Sequence, residues 1–189
     1  MAVVTTKSLS IVNADATPIV ATSIGEGAPG FLKSVNDSLT AVVGDSIASL
    51  YKVVRIPTNA KIKQVLLNYP TASTAGAADI DVFFSDSATD GTQPSLAGGV
   101  VQITGPVDNK LFGAAVTLTG VFTQKDVTFQ NPTVFLLNHQ NLPLWQVLVN
   151  IGATQFSADP GGYFDIGLKL TTALTVTAGL VGMQVTYVE

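Results

Sequence analysis

The plainest pattern in the chain lies near its C-terminus. Between Tyr163 and Thr171, Phe164, Ile166, Leu168 and Leu170 alternate with Tyr163, Asp165, Gly167, Lys169 and Thr171. A period of two is that of a half-buried strand, whose successive side chains point to opposite faces of the pleat. Leu174 and Val176 resume the alternation, and Val181, Met183, Val185 and Tyr187 form a further apolar row after Ala178-Gly179. Upstream, Trp145, Val147, Val149 and Ile151 predict another strand, ended by Gly152. Successive strands joined by short turns predict an antiparallel sheet with one apolar face, which a second layer must cover.

Elsewhere the pattern is more broken. Ile80, Val82 and Phe84 fall opposite Asp79 and Asp81, and strands are also expected over residues 49–56, 61–68 and 100–104. In residues 31–43, Phe31, Leu32, Val35, Leu39 and Val42 are spaced as a helix face would be. Asn36-Asp37-Ser38 is a turn signal, however, so two short strands are expected there. Helix is expected at one place only, a turn around Phe112-Gly113-Ala114-Ala115. Short strands at residues 127–129 and 134–137 and a long polar loop over 85–99 complete the pass.

Many short strands separated by Gly, Pro and Asn predict a sandwich or jelly roll. No fixed-period repeat or linker divides the chain. Residues 1–30, rich in Ala, Thr, Val, Ser and Gly, read as an extended N-terminal arm with one strand near residues 19–24. The expectation is thus an all-β fold: an antiparallel, jelly-roll-like β-sandwich over residues 31–189, the extended arm over 1–30, and at most one short helix.

Composition narrows the function. Charged residues are 12% of the 189, against roughly a quarter in an ordinary soluble domain. Mean hydropathy is +0.42, yet no apolar run approaches the ~20 residues that cross a bilayer, so no membrane partner is expected. A β-rich chain with so few charges invites edge-to-edge association, so its apolar surface is expected to face other subunits. A net charge of −4 with nine Lys and Arg argues against nucleic acid, which needs clustered cations. The nearest approach, Lys52, Arg55, Lys61 and Lys63, reads as solvent-facing charge on two neighbouring strands. The absence of cysteine excludes disulfides and thiolate metal sites and suits assembly in a reducing cytoplasm. The first twenty residues lack the basic region and apolar core of a secretion signal.

Candidate chemistry is sparse. Gly25-x-Gly27-x-x-Gly30 matches the dinucleotide fingerprint as a string, but Pro29 interrupts it and no β-α pattern follows, so it reads as a hinge. Asp86-Ser87-Ala88-Thr89-Asp90-Gly91 resembles the start of a calcium loop. Ala88 and Ala97, however, stand where ligands belong, and the run reads as a surface turn. Asp79 and Asp81 share a strand face without an identifiable substrate cleft. His139 is the sole histidine, so one chain cannot build a multi-histidine metal site, and no Gly-x-Ser-x-Gly elbow is present. Trp145 could stack on a sugar but runs in phase with apolar neighbours, as a core residue would. No enzyme activity, catalytic residue, cofactor or metal is expected.

Two stretches carry a family resemblance. One runs from Gly44-Asp45-Ser46 through Tyr51-Lys52-Val53-Val54-Arg55-Ile56-Pro57-Thr58-Asn59-Ala60 to Ala77-Ala78-Asp79-Ile80. The other runs from Leu144-Trp145 through Asp159-Pro160-Gly161-Gly162-Tyr163-Phe164-Asp165-Ile166 to Val185-Thr186-Tyr187-Val188. Both resemble the small β-sandwich proteins that decorate or cement the heads of tailed bacteriophages. The resemblance implies a structural virion protein on the outer surface of the head. Its implied partners are the phage major capsid protein and further copies of itself, as a trimer, with no catalysis. The arm is expected to contribute by strand addition. The alternative is a carbohydrate- or receptor-binding sandwich on a virion, as a fibre base or adaptor, or on a cell surface.

Overall fold

A computed structural model of the chain describes residues 3–16, 31–42, 44–69, 76–85, 98–105, 107–131, 139–174 and 179–189. Its strands are β1 (Thr5–Lys7), β2 (Leu32–Ala41), β3 (Leu50–Pro57), β4 (Lys61–Tyr69), β5 (Ala77–Phe84), β6 (Gln102–Ile103), β7 (Val107–Asp108), β8 (Gly113–Thr117), β9 (Phe122–Asp126), β10 (Tyr163–Thr172) and β11 (Gly179–Val188). Helix α1 spans Leu9–Asp15 and α2 spans Leu144–Asn150, and His139–Asn141 forms a 3-10 turn.

One sheet has the order β1-β3-β10-β5-β8 and the other β2-β11-β4-β9, with β6 and β7 as a separate small pair. Numbering the eight strands other than β1, β6 and β7 in chain order, the sheets read 2-7-4-5 and 1-8-3-6. That order is two interleaved Greek keys, a jelly roll. The two strands with the cleanest alternation, β10 and β11, are each flanked on both sides. Their apolar rows supply the middle of the core: Phe164, Ile166, Leu168 and Leu170 face Val181, Met183, Val185 and Tyr187, all buried. Over their middle stretches, paired on both sides, backbone donors are taken up within the sheet.

The all-β sandwich is as expected, with several local corrections. Residues 32–41 form one strand instead of two, because β11 offers a matching ten-residue partner from Leu32↔Val188 to Ala41↔Gly179. Asp37 still makes its local bond to the Ser38 amide (2.7 Å), but the ladder overrides the turn. Residues 144–150 are helical, not extended. Leu144, Val147 and Leu148, the helix-spaced subset of the same greasy run, are its buried face. The amides of Leu144 and Trp145 donate to the Ala60 and Thr58 carbonyls, so the helix is fastened to the turn between β3 and β4.

Where the sequence predicts a helical turn, Phe112 closes a turn and residues 113–115 already belong to β8. Here Ala115, at a φ of 47°, donates its amide to Asp79 Oδ1 (2.7 Å). The strand expected at 127–129 lies earlier, at Phe122–Asp126, and residues 134–137 are outside the described set. Among the described residues α-helix thus occupies two seven-residue segments, where the sequence predicts at most one.

Within the arm, β1 pairs in parallel with β3. Ser8 caps α1 by accepting from the Ile11 amide, and Ile11 is fully buried. These residues are therefore part of the fold. The strand expected near residues 19–24 lies outside the described residues.

Candidate functional site: a charged face closed off from water

Each strand of the five-stranded sheet has a second face, turned away from the core. Registers place Arg55 beside Asp165, Gly167 between Lys52 and Asp81, and Lys169 between Leu50 and Asp79. Strand alternation reads these as solvent positions. They are not: Lys52, Asp81 and Asp165 are 0% exposed, Asp79 2% and Arg55 5%. Helix α1 lies against β3 at one end of this face, and residues 107–110 fold onto β5 at the other.

At the first end, charges pair closely. Arg55 Nε and Nη2 donate to Asp165 Oδ1 and Oδ2 (2.7 and 3.1 Å), a two-pronged contact, while Nη1 donates to Asp15 of α1 (2.7 Å). Lys52 Nζ stands 3.7 Å from Asp165 Oδ2 and donates to the Phe84 carbonyl (3.0 Å). Lys7 closes the chain of charges on Asp15 (2.9 Å). Burial works against the Arg55 charge, but the two carboxylates outweigh it and hold the guanidinium protonated beyond its ordinary range. Burial pushes the Asp165 carboxyl upward against the pull of Arg55 and Lys52.

At the second end, carboxylates crowd together. Asp79 and Asp81 project from β5 and Asp108 from β7, and an oxygen from each lies within 4.8 Å of the other two. Lys110 Nζ lies 3.1 Å from Asp79 Oδ2, Lys169 Nζ pairs with Asp108 Oδ2, and the Lys110 amide donates to Asp81 Oδ1 (2.6 Å). No donor among the described residues reaches Asp81 Oδ2, which is buried. Burial pushes the Asp81 carboxyl up to about 7; the Lys110 amide opposes the shift, and the negative charges of Asp108 and Asp79 add to it. Asn109 props this corner. Its Oδ1 accepts from the Val82 and Leu111 amides, and its Nδ2 donates to the Val82 and Val101 carbonyls, standing in for a missing strand.

The structure separates the basic residues that the sequence grouped. Lys52 and Arg55 belong to this buried face, whereas Lys61 and Lys63 are half-buried on β4 in the other sheet. The expected solvent-facing basic pair on neighbouring strands is thus corrected for Lys52 and Arg55, since covering by α1 removes them from water. Asp79 and Asp81 do share a face, as expected, and the residues that the sequence could not attach to them are Asp108, Lys110 and Lys169.

His139 sits in the 3-10 turn with its ring edge-on to Phe129, 5.3 Å between centroids, and Trp145 is half-buried against the core. Gly25, Gly27, Gly30 and the Asp86–Gly91 run lie outside the described residues.

His139 carries a pH prediction. Burial lowers its pKa, so the folded protein keeps the ring neutral while the unfolded chain takes up a proton below about 6.5. The His139 contribution to stability is therefore expected to fall as pH drops through that value, by at most ~1.4 kcal/mol per pH unit, while Asp81, pushed up to about 7, contributes with the opposite sign. The difference in urea midpoint between the parent and His139→Phe, followed from pH 8 to 5, isolates the histidine.

The outer face of the four-stranded sheet differs in kind. Ser34, Asn36, Ser38 and Thr40 of β2 lie in register with Thr186, Gln184, Gly182 and Leu180 of β11, and Asn68 continues the row on β4. Over β2 and β11 this row is mostly amides and hydroxyls, and Asp126 of β9, in register with Leu66, brings a charge to its far edge. A shallow groove over Gly182 is rimmed by Asn36, Asp37, Ser38, Asn68 and Gln184. Large apolar side chains are exposed too, Leu32 and Leu180 on this same face and Phe31, Ile47 and Val121 elsewhere. Among the described residues no helix is long and apolar enough to cross a membrane.

No protein-family model matches the sequence, and no curated protein matches it. Comparison with solved structures gives two matches. A chain of the capsid of Ralstonia phage GP4 aligns over 100% of this chain and 98% of its own length, at 12% identity and a TM-score of 0.53. A chain of the cyanophage Pam1 capsid asymmetric unit aligns over 92% of this chain and 95% of its own, at 15% identity and a TM-score of 0.39. The first establishes a common fold; the second is too distant to build on.

Proposed function

We propose that this chain is a structural protein of a tailed-phage virion that binds the outside of the head as a homotrimer, stabilises the assembled capsid lattice and does no chemistry. The observation that carries the reading is the end-to-end sharing of its fold with a chain from a phage capsid. The resemblance of its two sequence stretches to head decoration proteins supports the finer role. The surface suits that role, since amides and hydroxyls on the outer face of the β2-β11-β4-β9 sheet are cheaper to desolvate than ions and can exchange hydrogen bonds with a partner.

The physics of stabilisation is linkage. A protein that binds the assembled lattice but not separated capsid subunits shifts the balance toward assembly, by ~2.7 kcal/mol per site at a hundredfold excess over Kd. Three linked copies would hold one another near their sites and add avidity. Incubating purified protein with undecorated heads should give regular occupancy by imaging and raise the temperature at which the heads open. Heads that stay bare and open at the same temperature would end the proposal. Binding to a glycan array without binding to heads would favour the receptor-module alternative.

The arm needs a finer test than removal of residues 1–30, because Ile11 is buried and Asp15 pairs with Arg55 within the same chain. Replacing residues 17–30 with a Gly/Ser linker of the same length is the cleaner variant, because it keeps the connection between α1 and β2. If the arm adds a strand to a neighbour, this replacement should lower head occupancy while leaving the urea midpoint of the free protein in place.

A further inference from the structure

We propose that Asp79, Asp81 and Asp108 bind one divalent cation of the hard, oxygen-seeking class, with calcium as the natural occupant. Among the described residues this is the one place where three potential metal ligands meet, with an oxygen from each within 4.8 Å of the others. Oxygens that share a calcium ion at ~2.3–2.6 Å lie no more than ~5 Å apart. Carboxylates at such spacing could simply be neutralised by lysines, so proximity alone would not decide the matter.

A second observation does. Asp81 is 0% exposed, and no donor among the described residues reaches its Oδ2. Its Oδ1 is taken by the Lys110 amide at 2.6 Å, which fixes the carboxylate in place. Two lysines answer the other two acids, Lys110 on Asp79 and Lys169 on Asp108. The sum over these five side chains leaves one negative charge and one buried carboxylate oxygen with nothing to accept, and a cation supplies what that oxygen lacks.

The geometry also gives a way in. Asp79 and Asp81 are held on β5, in the body of the sheet, whereas Asp108 is only partly buried. It stands at the rim, where water can complete the six to eight oxygens that calcium prefers. Lys169 would release Asp108 as the ion arrives, a local exchange of one cation for another. Bound there, the ion would tie residues 107–110 to β5 more firmly than the lysine does.

The test uses the full chain, dialysed against a chelator and titrated with calcium at pH 8, with manganese counted by electron paramagnetic resonance. One ion per chain is expected, saturating by the ~1 mM range where weaker calcium modules bind. The unfolding midpoint should rise by ~5–10 °C at a hundred times the dissociation constant. Asp81→Asn should abolish both responses, and Asp37→Asn, on the opposite sheet, should keep them. If Asp81→Asn does not fold, Asp108→Asn at the rim carries the same comparison. No saturable binding by the parent chain, or binding that survives substitution of Asp81 or Asp108, overturns the site.

Discussion

Replacing Asp165 by alanine is expected to destabilise the protein by ~3–5 kcal/mol, the range for removing one partner of a buried ion pair. The reason is what remains. Arg55 and Lys52 would be left at positions 5% and 0% exposed, with the two-pronged acceptor gone. Asp15 could still hold Arg55 through Nη1 and the Phe84 carbonyl could still accept from Lys52, but neither replaces the carboxylate that stands between the two cations. Against a total of ~5–15 kcal/mol for a typical domain, such a loss approaches unfolding. Urea denaturation of parent and variant measures it.

A double-mutant cycle separates the pair from its surroundings. Arg55→Met with Asp165→Leu should cost clearly less than the two single changes added, because a buried pair replaced by apolar groups leaves less charge stranded. An Asp165→Ala midpoint within ~1 kcal/mol of the parent, the range of an exposed pair, would show that this face is wet in solution.

That face also marks where sequence reasoning stopped. Alternation in residues 163–171 correctly assigns Asp165, Gly167 and Lys169 to the side opposite Phe164, Ile166 and Leu168. What alternation cannot say is whether the opposite side meets water. Arg55 and Asp165 are 110 residues apart, and the helix that covers them begins in the first ten residues of the chain. A usable signal was present in the charges themselves. Lys52 and Arg55 on one strand, Asp79 and Asp81 on another, and Asp165 and Lys169 between them alternate in sign in a chain that is only 12% charged.

Two other local readings failed for reasons of the same kind. Residues 144–151 are apolar at nearly every position, so strand and helix periods fit equally well and the contact with the β3–β4 turn decides. Asn36-Asp37-Ser38 is turn-forming in isolation, but a ten-residue partner strand outweighs it. The jelly-roll class itself was readable because it rests on the strands with the cleanest period, and these lie in the interior of both sheets. The aspartate site was half readable. The i, i+2 pair Asp79 and Asp81 could be seen, whereas Asp108 arrives through an irregular excursion that no period announces.

The second large effect concerns Gly167, where the sheet has no room for any side chain. At this point β10 and β3 slip register: Ile166 pairs with Val54 and Gly167 with Lys52, so Val53 is the extra residue of a bulge. The bulge presses the β3 backbone onto the glycine. A Cβ there would stand 2.0 Å from the Tyr51 carbonyl oxygen and 2.9 Å from Lys52 Cα. Those are main-chain atoms of a strand paired on both sides, so relief cannot come from a rotamer change. Gly167→Ala is therefore expected to cost at least the upper end of the ~1–3 kcal/mol typical of overpacking, and to disturb the Lys52–Asp165 contact one residue pair away.

The comparison that isolates cause is Gly182→Ala on β11. There the nearest atom to a new Cβ is Asn68 Cβ at 3.6 Å, an ordinary contact. Alanine at that position restricts the unfolded chain without a clash, so its effect should be near neutral or stabilising by ~0.4–1 kcal/mol. Two interior strands and one substitution should thus give opposite signs in urea titrations. Equal effects at both glycines would mean that the bulge is not the tight point the geometry describes, and that loss of strand glycine flexibility, not backbone collision, governs this sheet.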